Sequence, residues 1–464
     1  MCKLSDEAVE SILDRGRIYQ VGGAVRDRFL HRTISSKDLD YLITGIEYDE
    51  LTHLLKNYGR VDLVGQSFGV IKFTQYENGE PITFDISLPR REHSTGWGHK
   101  EFEVSFDPNL PIEDDLVRRD FTINAMAVAL DNNELIDPLG GQVDLEKRQL
   151  RMVYPTSFED DPLRMLRATQ FAARFEFTIE PATFEAIQKN ASLIATVPPE
   201  RIGEELNKLL TLAEKPSHGF RLMQTSGLLR EILPELESCV GVDQPGGYHK
   251  YDVFEHTMHT IDACRPALML RMAALFHDIR KPQARQLTDK GATFYGHERT
   301  SAREARSVLT RLRYSRNFAE QVAILVERHM FTTDVTDKGL RRLVKRVGID
   351  LIFDLLDLRR ADVIAQGMGG TTEDVDQFEA DIRRELSRKP PLGLSDLAVD
   401  GSEVMRLLNV KPGPIVGKIL NHLLEAVLDD PAYNNSEKLK LLIREYYNNQ
   451  YGMSNTNSNK ETGL

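Results

Sequence analysis

The rhythm of apolar residues changes near residue 150, and that change limits the chain to folds joining a small sheet to a larger helical part. Before it, β-like runs occur at Ile18 to Val21, Leu39 to Thr44, Val70 to Thr74 and Ile82 to Ile86, separated by Gly, Asn and Pro. From Asp161 onward apolar residues recur at helical spacing, as in Met165, Ala168, Ala172 and Phe175. The pattern predicts an α+β fold: a head with a mixed sheet over residues 1–150, then an all-helical neck (151–238), body (239–365) and tail (366–452). Clusters of glycine and proline mark breaks at 241–247, 366–372 and 390–393. Residues 453–464, rich in Asn, Ser and Thr, are expected to be disordered.

Composition narrows the function classes. The net charge of −12 argues against a protein that coats nucleic acid through overall positive charge, so any RNA contact needs local patches. Two runs qualify: Arg299, Arg303, Arg306, Arg311, Arg313 and Arg316, then Arg341, Arg342, Lys345 and Arg346. Each is equally readable as a solvated helix face. Cys2, Cys239 and Cys264 are too few and too scattered for a disulfide framework or a four-cysteine zinc site. No apolar run approaches the ~18 residues that span a bilayer, and the N-terminus lacks a signal-peptide core, so a cytoplasmic protein with no membrane partner is expected.

The run Ile18 to Val21 leads into Gly22-Gly23-Ala24-Val25-Arg26-Asp27 and a helical pattern ending near Leu30. A strand, a glycine turn and a helix start present free backbone N–H groups to an anion such as a triphosphate, with Arg26 about one turn in as a charged clamp. Alone, such a turn is common and usually binds nothing. Further on, Lys37-Asp38-Leu39-Asp40-Tyr41-Leu42-Ile43 reads as a strand in which Asp38 and Asp40 project from one face. Two adjacent carboxylates favour a cation between them, and magnesium suits their hard oxygens. Alone, a pair of this kind is more often a solvated strand start. Gly22-Gly23 followed by Asp38-x-Asp40 resembles the polymerase-β-like nucleotidyltransferases. The fuller pattern, GGAVRD then KDLDYLITG, is similar to the class of tRNA nucleotidyltransferases and bacterial poly(A) polymerases.

Two more segments extend the resemblance. Asp114-Asp115-Leu116-Val117-Arg118-Arg119-Asp120-Phe121-Thr122-Ile123-Asn124 carries tandem arginines that would offset triphosphate charge, with Arg119 fixed by Asp120 or reaching phosphate itself. Asp120 and Asn124 join the expected nucleotide site. In Glu159-Asp160-Asp161-Pro162-Leu163-Arg164-Met165-Leu166-Arg167, Asp161 fits a helix N-cap and Pro162 the first helical position. Arg164, Arg167, Phe171 and Arg174 then form one stripe. An acidic acceptor one turn from an arginine donor can imitate a Watson–Crick edge. The segment is similar to the family motif in which protein side chains replace a template in selecting CTP and ATP. That implies that Asp161 and Arg164 pair with the incoming base and that Arg167 supports base or phosphate. Some bacterial members carry another arginine where this chain has Gln170. Asp85 ends a β-like run, either as a third carboxylate or as an exposed strand end. Gly96-Trp97-Gly98 falls where the family has a flexible loop.

A third set, His256, His277-Asp278 and Asp362, lies in helical surroundings and suits a divalent metal, with His297 and His329 as extra polar candidates. The combination resembles the HD phosphohydrolase superfamily, except that Arg280 replaces the usual glycine and is expected to crowd the site or perturb the turn. A histidine and aspartate adjacent on a helix cannot both face one direction fully. Pro412-Gly413-Pro414 opens a helix similar to the C-terminal segment of these bacterial proteins.

The resemblance implies catalysis by two magnesium ions on Asp38 and Asp40, with tRNA, CTP and ATP as partners and addition of C and A to the tRNA 3′ end as the activity. A-only addition or poly(A) synthesis shares the same head motifs. A third possibility is an RNA-binding HD-type hydrolase with an inactive head. A second divalent metal in the helical body is also implied.

Overall fold

The computed structural model describes residues 3–32, 39–62, 70–94, 102–245, 247, 249–289 and 291–451. Asp38, Trp97 and residues 453–464 lie outside these, as do Gly246 and Tyr248. The chain forms two compact units: Met1–Val240 with Pro266–Leu268 and Val308–Ser315, and Gly241–Arg265 with Met269–Ser307 and Arg316–Leu464. Among the described residues no helix is long and apolar enough to cross a membrane.

The first unit is built on a mixed sheet. Its strands are β1 (Arg17–Val21), β2 (Asp40–Thr44), β3 (Arg60–Asp62), β4 (Val70–Glu77) and β5 (Glu80–Ser87), with β6 (Arg90–Ser94) and β7 (Phe102–Phe106) forming a separate hairpin. β8 (Ala127–Ala129) and β9 (Leu135–Ile136) complete a seven-stranded order of β3-β4-β5-β2-β1-β8-β9. β2 runs parallel to β5, pairing Asp40 with Asp85, whereas β1 lies antiparallel to both β2 and β8. Alternation then decides what each face carries. Ile18, Tyr41, Ile43, Phe84 and Ile86 join one core with Leu4 and with Ile12, Leu51 and Leu54 of the helices Asp6–Leu13 and Tyr48–Leu55. Tyr19, Val21 and Leu42 face the other way, in a second core with Ile112, Leu116 and Ala125. Asp40 and Asp85 share the parity of that second face.

Four strands match the expected β-like runs to within a few residues. β8 escapes a sequence reading because alanine has low strand propensity; Ala127-Val128-Ala129 extends only because β1 and β9 flank it. Apart from a short parallel pair, Gln149–Leu150 with Thr178–Ile179, the regular structure in the rest of this unit is helical, with the helix Leu163–Phe175 packed against Pro199–Leu212 and Pro216–Ser226.

The second unit is helical apart from the hairpin Gln286–Thr288 with Gly291–Thr293. Helix Val253–Ala263 packs on Ile352–Ala365. Towards the C-terminus, Val404, Ile419, Leu423, Val427, Leu439 and Ile443 form a separate core. The basic runs noted above are largely paired with acids: Arg306 with Glu320 at 2.7 Å, Lys345 with Glu425 at 2.7 Å, and buried Arg341 with buried Glu385 at 2.6 Å.

Candidate active site and helical metal centre

β1 delivers the chain to Gly22, whose φ of +70° is a conformation that side chains rarely adopt. A Cβ there would also stand 2.9 Å from Arg119 Nη1. This turn, with Gly23, lines a cavity of about 810 Å³ in the first unit. The same cavity is lined by Arg26, Asp40, Asp85, Arg119, Asp120, Asn124, Asp161, Arg164 and Arg167, so the expected head residues within the described chain converge on one site. The parallel register places Asp85 beside Asp40, where Lys72 Nζ lies 3.2 Å from it. Neighbouring carboxylates on one face offer hard oxygen donors suited to a divalent cation.

The arginines are held differently from the sequence expectation. Arg119 is fixed by Asp115, not Asp120: Nη2 donates to Asp115 Oδ2 at 3.0 Å, and Arg118 Nε donates to Oδ1 at 2.9 Å. Asp115 has no exposed surface. Burial pushes its pKa up, and the charges of Arg119 and Arg118 override this and hold it below the usual carboxylate range. Helix Ile112–Leu116 ends before both arginines, and the turn that follows brings Arg118 and Arg119 back to Asp115, whereas Asp120 projects elsewhere. Asp120 instead takes Arg167 Nε and Nη2 at 3.0 and 2.8 Å, Asn124 Nδ2 at 3.0 Å and the Phe121 N–H at 2.8 Å. Its pKa is raised by burial but brought below the ordinary value by Arg167, Asn124 and Arg164. Arg26 is buried; it donates to Asp27 at 2.8 Å and Asn124 at 2.7 Å and lies 4.4 Å from the Phe175 ring centroid. It lines the cavity as an anchored cation, not as an extended clamp.

Helix Leu163–Phe175 begins one residue after the expected position, while Asp161 Oδ1 still accepts the Leu163 N–H at 3.1 Å. Arg164 is locked by Ser157 Oγ (2.8 Å), Tyr154 hydroxyl (3.1 Å) and the carbonyls of Arg118 (2.8 Å) and Arg119 (3.3 Å). Such anchoring fixes the plane of a guanidinium before any ligand arrives. Arg201, Glu205 and Lys208 of helix Pro199–Leu212 also line the cavity, with Arg201 3.3 Å from Asp161 Oδ2. Sequence reasoning missed them. Their i, i+4, i+7 spacing is a helical face, the one signal that pointed to them.

In the second unit His256, His277, Asp278 and Asp362 come together with His297 and His329. Helix Leu268–Phe276 ends just before the His-Asp pair. The two residues therefore sit in a turn, not on the helix, and both side chains reach one place, 3.1 Å apart. His277, His297 and His329 each set Nδ1 2.7 Å from the carbonyl three residues earlier, at Ala274, Phe294 and Val326. A carbonyl only accepts, so Nδ1 carries a proton in each ring, and the Nε2 of a neutral ring is then its lone-pair donor. The Nε2 atoms converge: that of His277 lies 3.3 Å from His256 Nε2, those of His297 and His329 lie 3.4 Å apart, and that of His297 lies 3.1 Å from Asp278 Oδ1. Burial, reinforced by His277, pushes the His329 pKa down to about 3, keeping that imidazole neutral. Converging imidazole nitrogens and buried carboxylates are the donor set of a divalent metal site. A cavity of about 570 Å³ opens on it, lined also by Lys281 and Arg359. Arg280 does not crowd the centre: φ is −108°, so glycine is not required, and the side chain pairs with Glu304 at 3.2 Å.

Residues 18–151 match the poly(A) polymerase head domain, 176–240 the probable RNA and SrmB-binding site of polymerase A, and 292–442 a putative domain 2 of tRNA nucleotidyltransferase. The chain is 38% identical over 366 residues to an A-adding tRNA nucleotidyltransferase of Deinococcus radiodurans, covering 73% of this chain and 81% of that one. It is 36% identical over 318 residues to a multifunctional CCA protein of Nitrosococcus oceani, covering 67% and 74%. The fold is that of the Bacillus stearothermophilus CCA-adding enzyme solved with CTP, with a TM-score of 0.71 at 22% identity over 96% of this chain and 98% of that one.

Proposed function

The chain belongs to the family of tRNA nucleotidyltransferases and poly(A) polymerases, and on that premise we propose that it adds CMP and AMP from CTP and ATP to the 3′ end of tRNA without a nucleic-acid template. The observation that carries this is one cavity joining the Asp40–Asp85 pair to the anchored Asp161–Arg164–Arg167 stripe. Magnesium fits the carboxylate oxygens of Asp40 and Asp85, with Asp38 two residues earlier, and when bound would activate the RNA 3′ hydroxyl and neutralise the departing pyrophosphate. The Gly22–Gly23 turn and Arg119 seat the triphosphate. Asp161 accepts from and Arg164 donates to the base, and Arg167, held by Asp120, keeps that stripe in place. Orientation by fixed side chains contributes much of the rate in such transfers.

Residues 1–150 serve as the catalytic head, 151–238 as the neck that selects nucleotides, 239–365 as the helical body and 366–452 as a tRNA-binding tail. In the body, the donors fit a divalent cation on His256, His277, Asp278 and Asp362, with His297 and His329 on the other oxygen of Asp278. This centre resembles the HD type.

The Deinococcus relative's A-adding activity favours a second reading, addition of A alone. Supplying tRNA that lacks CCA, tRNA that lacks only the final A, and a generic RNA, with CTP and ATP separately, distinguishes the two. CMP incorporation on the first substrate supports full CCA addition. AMP incorporation confined to the second supports A-only addition, and extension of generic RNA supports poly(A) synthesis.

A further inference from the structure

The two side chains that read the base are held by different means. Arg164, inside helix Leu163–Phe175, donates to four acceptors. Asp161 lies in the two-residue link between helices Ser157–Asp160 and Leu163–Phe175, where no regular backbone fixes its side chain. Its Oδ1 accepts the Leu163 N–H at 3.1 Å, a contact local to the link, and its Oδ2 accepts from Arg201 Nη2 at 3.3 Å, 40 residues on. Arg201 stands in the first turn of helix Pro199–Leu212, the end at which the helix dipole disfavours a cation, so its place is accounted for by what it faces and not by its own helix. It also lines the nucleotide cavity. One turn further along the same helix, buried Glu205 faces Arg167 Nη1 at 3.6 Å. The two helices therefore meet through an acid-to-base pair followed by a base-to-acid pair. A slip of one turn would set Asp161 against Glu205 or Arg167 against Arg201, like charge against like, so the pairs fix the register.

We propose that Arg201 is a positioning residue for base selection, which aims the Asp161 carboxylate at the incoming base. A carboxylate oxygen can accept twice, so the Arg201 contact is compatible with an amino group of cytosine or adenine on the same oxygen. Uracil and guanine put a carbonyl where that amino group stands, and meet the negative charge that Arg201 holds in place. Contact through Nη2 asks for a charged donor, which lysine also supplies. The inference rests on the nucleotidyl-transfer reading above.

The test is initial-rate kinetics of the full-length protein carrying Arg201→Met, with Arg201→Lys as the second variant, alongside thermal melting. Preference for CTP over UTP is read on tRNA lacking CCA, and preference for ATP over GTP on tRNA lacking only the final A, so either mode of addition reports on the same contact. In Arg201→Met both preferences present in the wild type, as ratios of kcat/KM, should fall about ten-fold, with KM for tRNA changing less than about two-fold and Tm close to wild type. Arg201→Lys, which keeps the charge, should restore preference to within about three-fold of wild type. Preferences within about two-fold of wild type in Arg201→Met overturn the proposal. So does a change confined to the KM for tRNA, which would make Arg201 an RNA contact, or an equal loss of preference and of Tm in both variants, which would make it a packing residue. If the wild-type protein itself incorporates neither CMP nor AMP, the functional reading fails instead, and the two failures are distinguishable.

Discussion

Gly22 holds two constraints at once, a positive φ and the Arg119 guanidinium packed against its α-carbon. Gly22→Ala should therefore cost about 1 kcal/mol of stability and, by displacing Arg119, raise the KM for nucleotide more than that for tRNA. Melting and initial-rate measurements check both. Arg164→Lys removes a planar fork anchored by four acceptors while keeping the charge; selection between CTP and UTP should weaken by about ten-fold or more while the protein stays folded. Residues of this kind were legible in the sequence because their chemistry depends on local spacing: a glycine turn, an i, i+2 acidic pair, and an acid one turn from an arginine. Asp85 was not decidable from sequence, since its place beside Asp40 is a matter of strand register between segments 45 residues apart. The partner of Arg119 was misread for a related reason, because Asp115 and Asp120 are both near in sequence and only the turn after helix Ile112–Leu116 separates them.

At the scale of elements, Asp120 ties helix Leu163–Phe175 to the segment after the tandem arginines, and the pair between buried Asp120 and half-buried Arg167 fixes that helix. Asp120→Asn leaves Arg167 without that charge and should cost about 3 kcal/mol. The folded-state pKa values of Asp115 and Asp120 both lie below the ordinary carboxylate value of about 4. Their contribution is thus fully present above that value and is lost as pH falls through the folded values. Melting temperature should be insensitive to these groups from neutral pH down to about 5 and drop on further acidification, with a shallower drop in Asp120→Asn. An equally steep drop in the variant would remove Asp120 from that role. Long amphipathic helices such as Leu163–Phe175 could be read directly from periodicity. The alanine strand β8 could not, because its neighbours, and not its residues, make it extend.

At the scale of the whole molecule, glycine-rich punctuation near 241 coincides with the start of the second unit, but the return of Pro266–Leu268 and Val308–Ser315 to the first unit is invisible in sequence. Compactness is a tertiary property, and Tyr314 shows its basis: the hydroxyl lies 2.5 Å from Asn207 Oδ1 and 3.1 Å from the Gly203 carbonyl and shares its one proton between them, across more than 100 residues. A chain ending at Val240 should therefore melt lower than the same unit within the full protein, and Tyr314→Phe should lower the full chain's stability by about 1 kcal/mol. The helical centre predicts bound divalent metal in the purified protein by elemental analysis, with Asp278→Ala metal-free and head activity retained; metal-free wild type would remove that assignment. The central claim is that the cavity containing Asp40 transfers nucleotides to tRNA without a template. Its most direct test is incorporation of labelled CMP and AMP into tRNA lacking its CCA end, comparing wild type with folded Asp40→Ala. Incorporation by wild type and its loss in the variant is the predicted result. Equal incorporation by both proteins, or none by wild type, would contradict it.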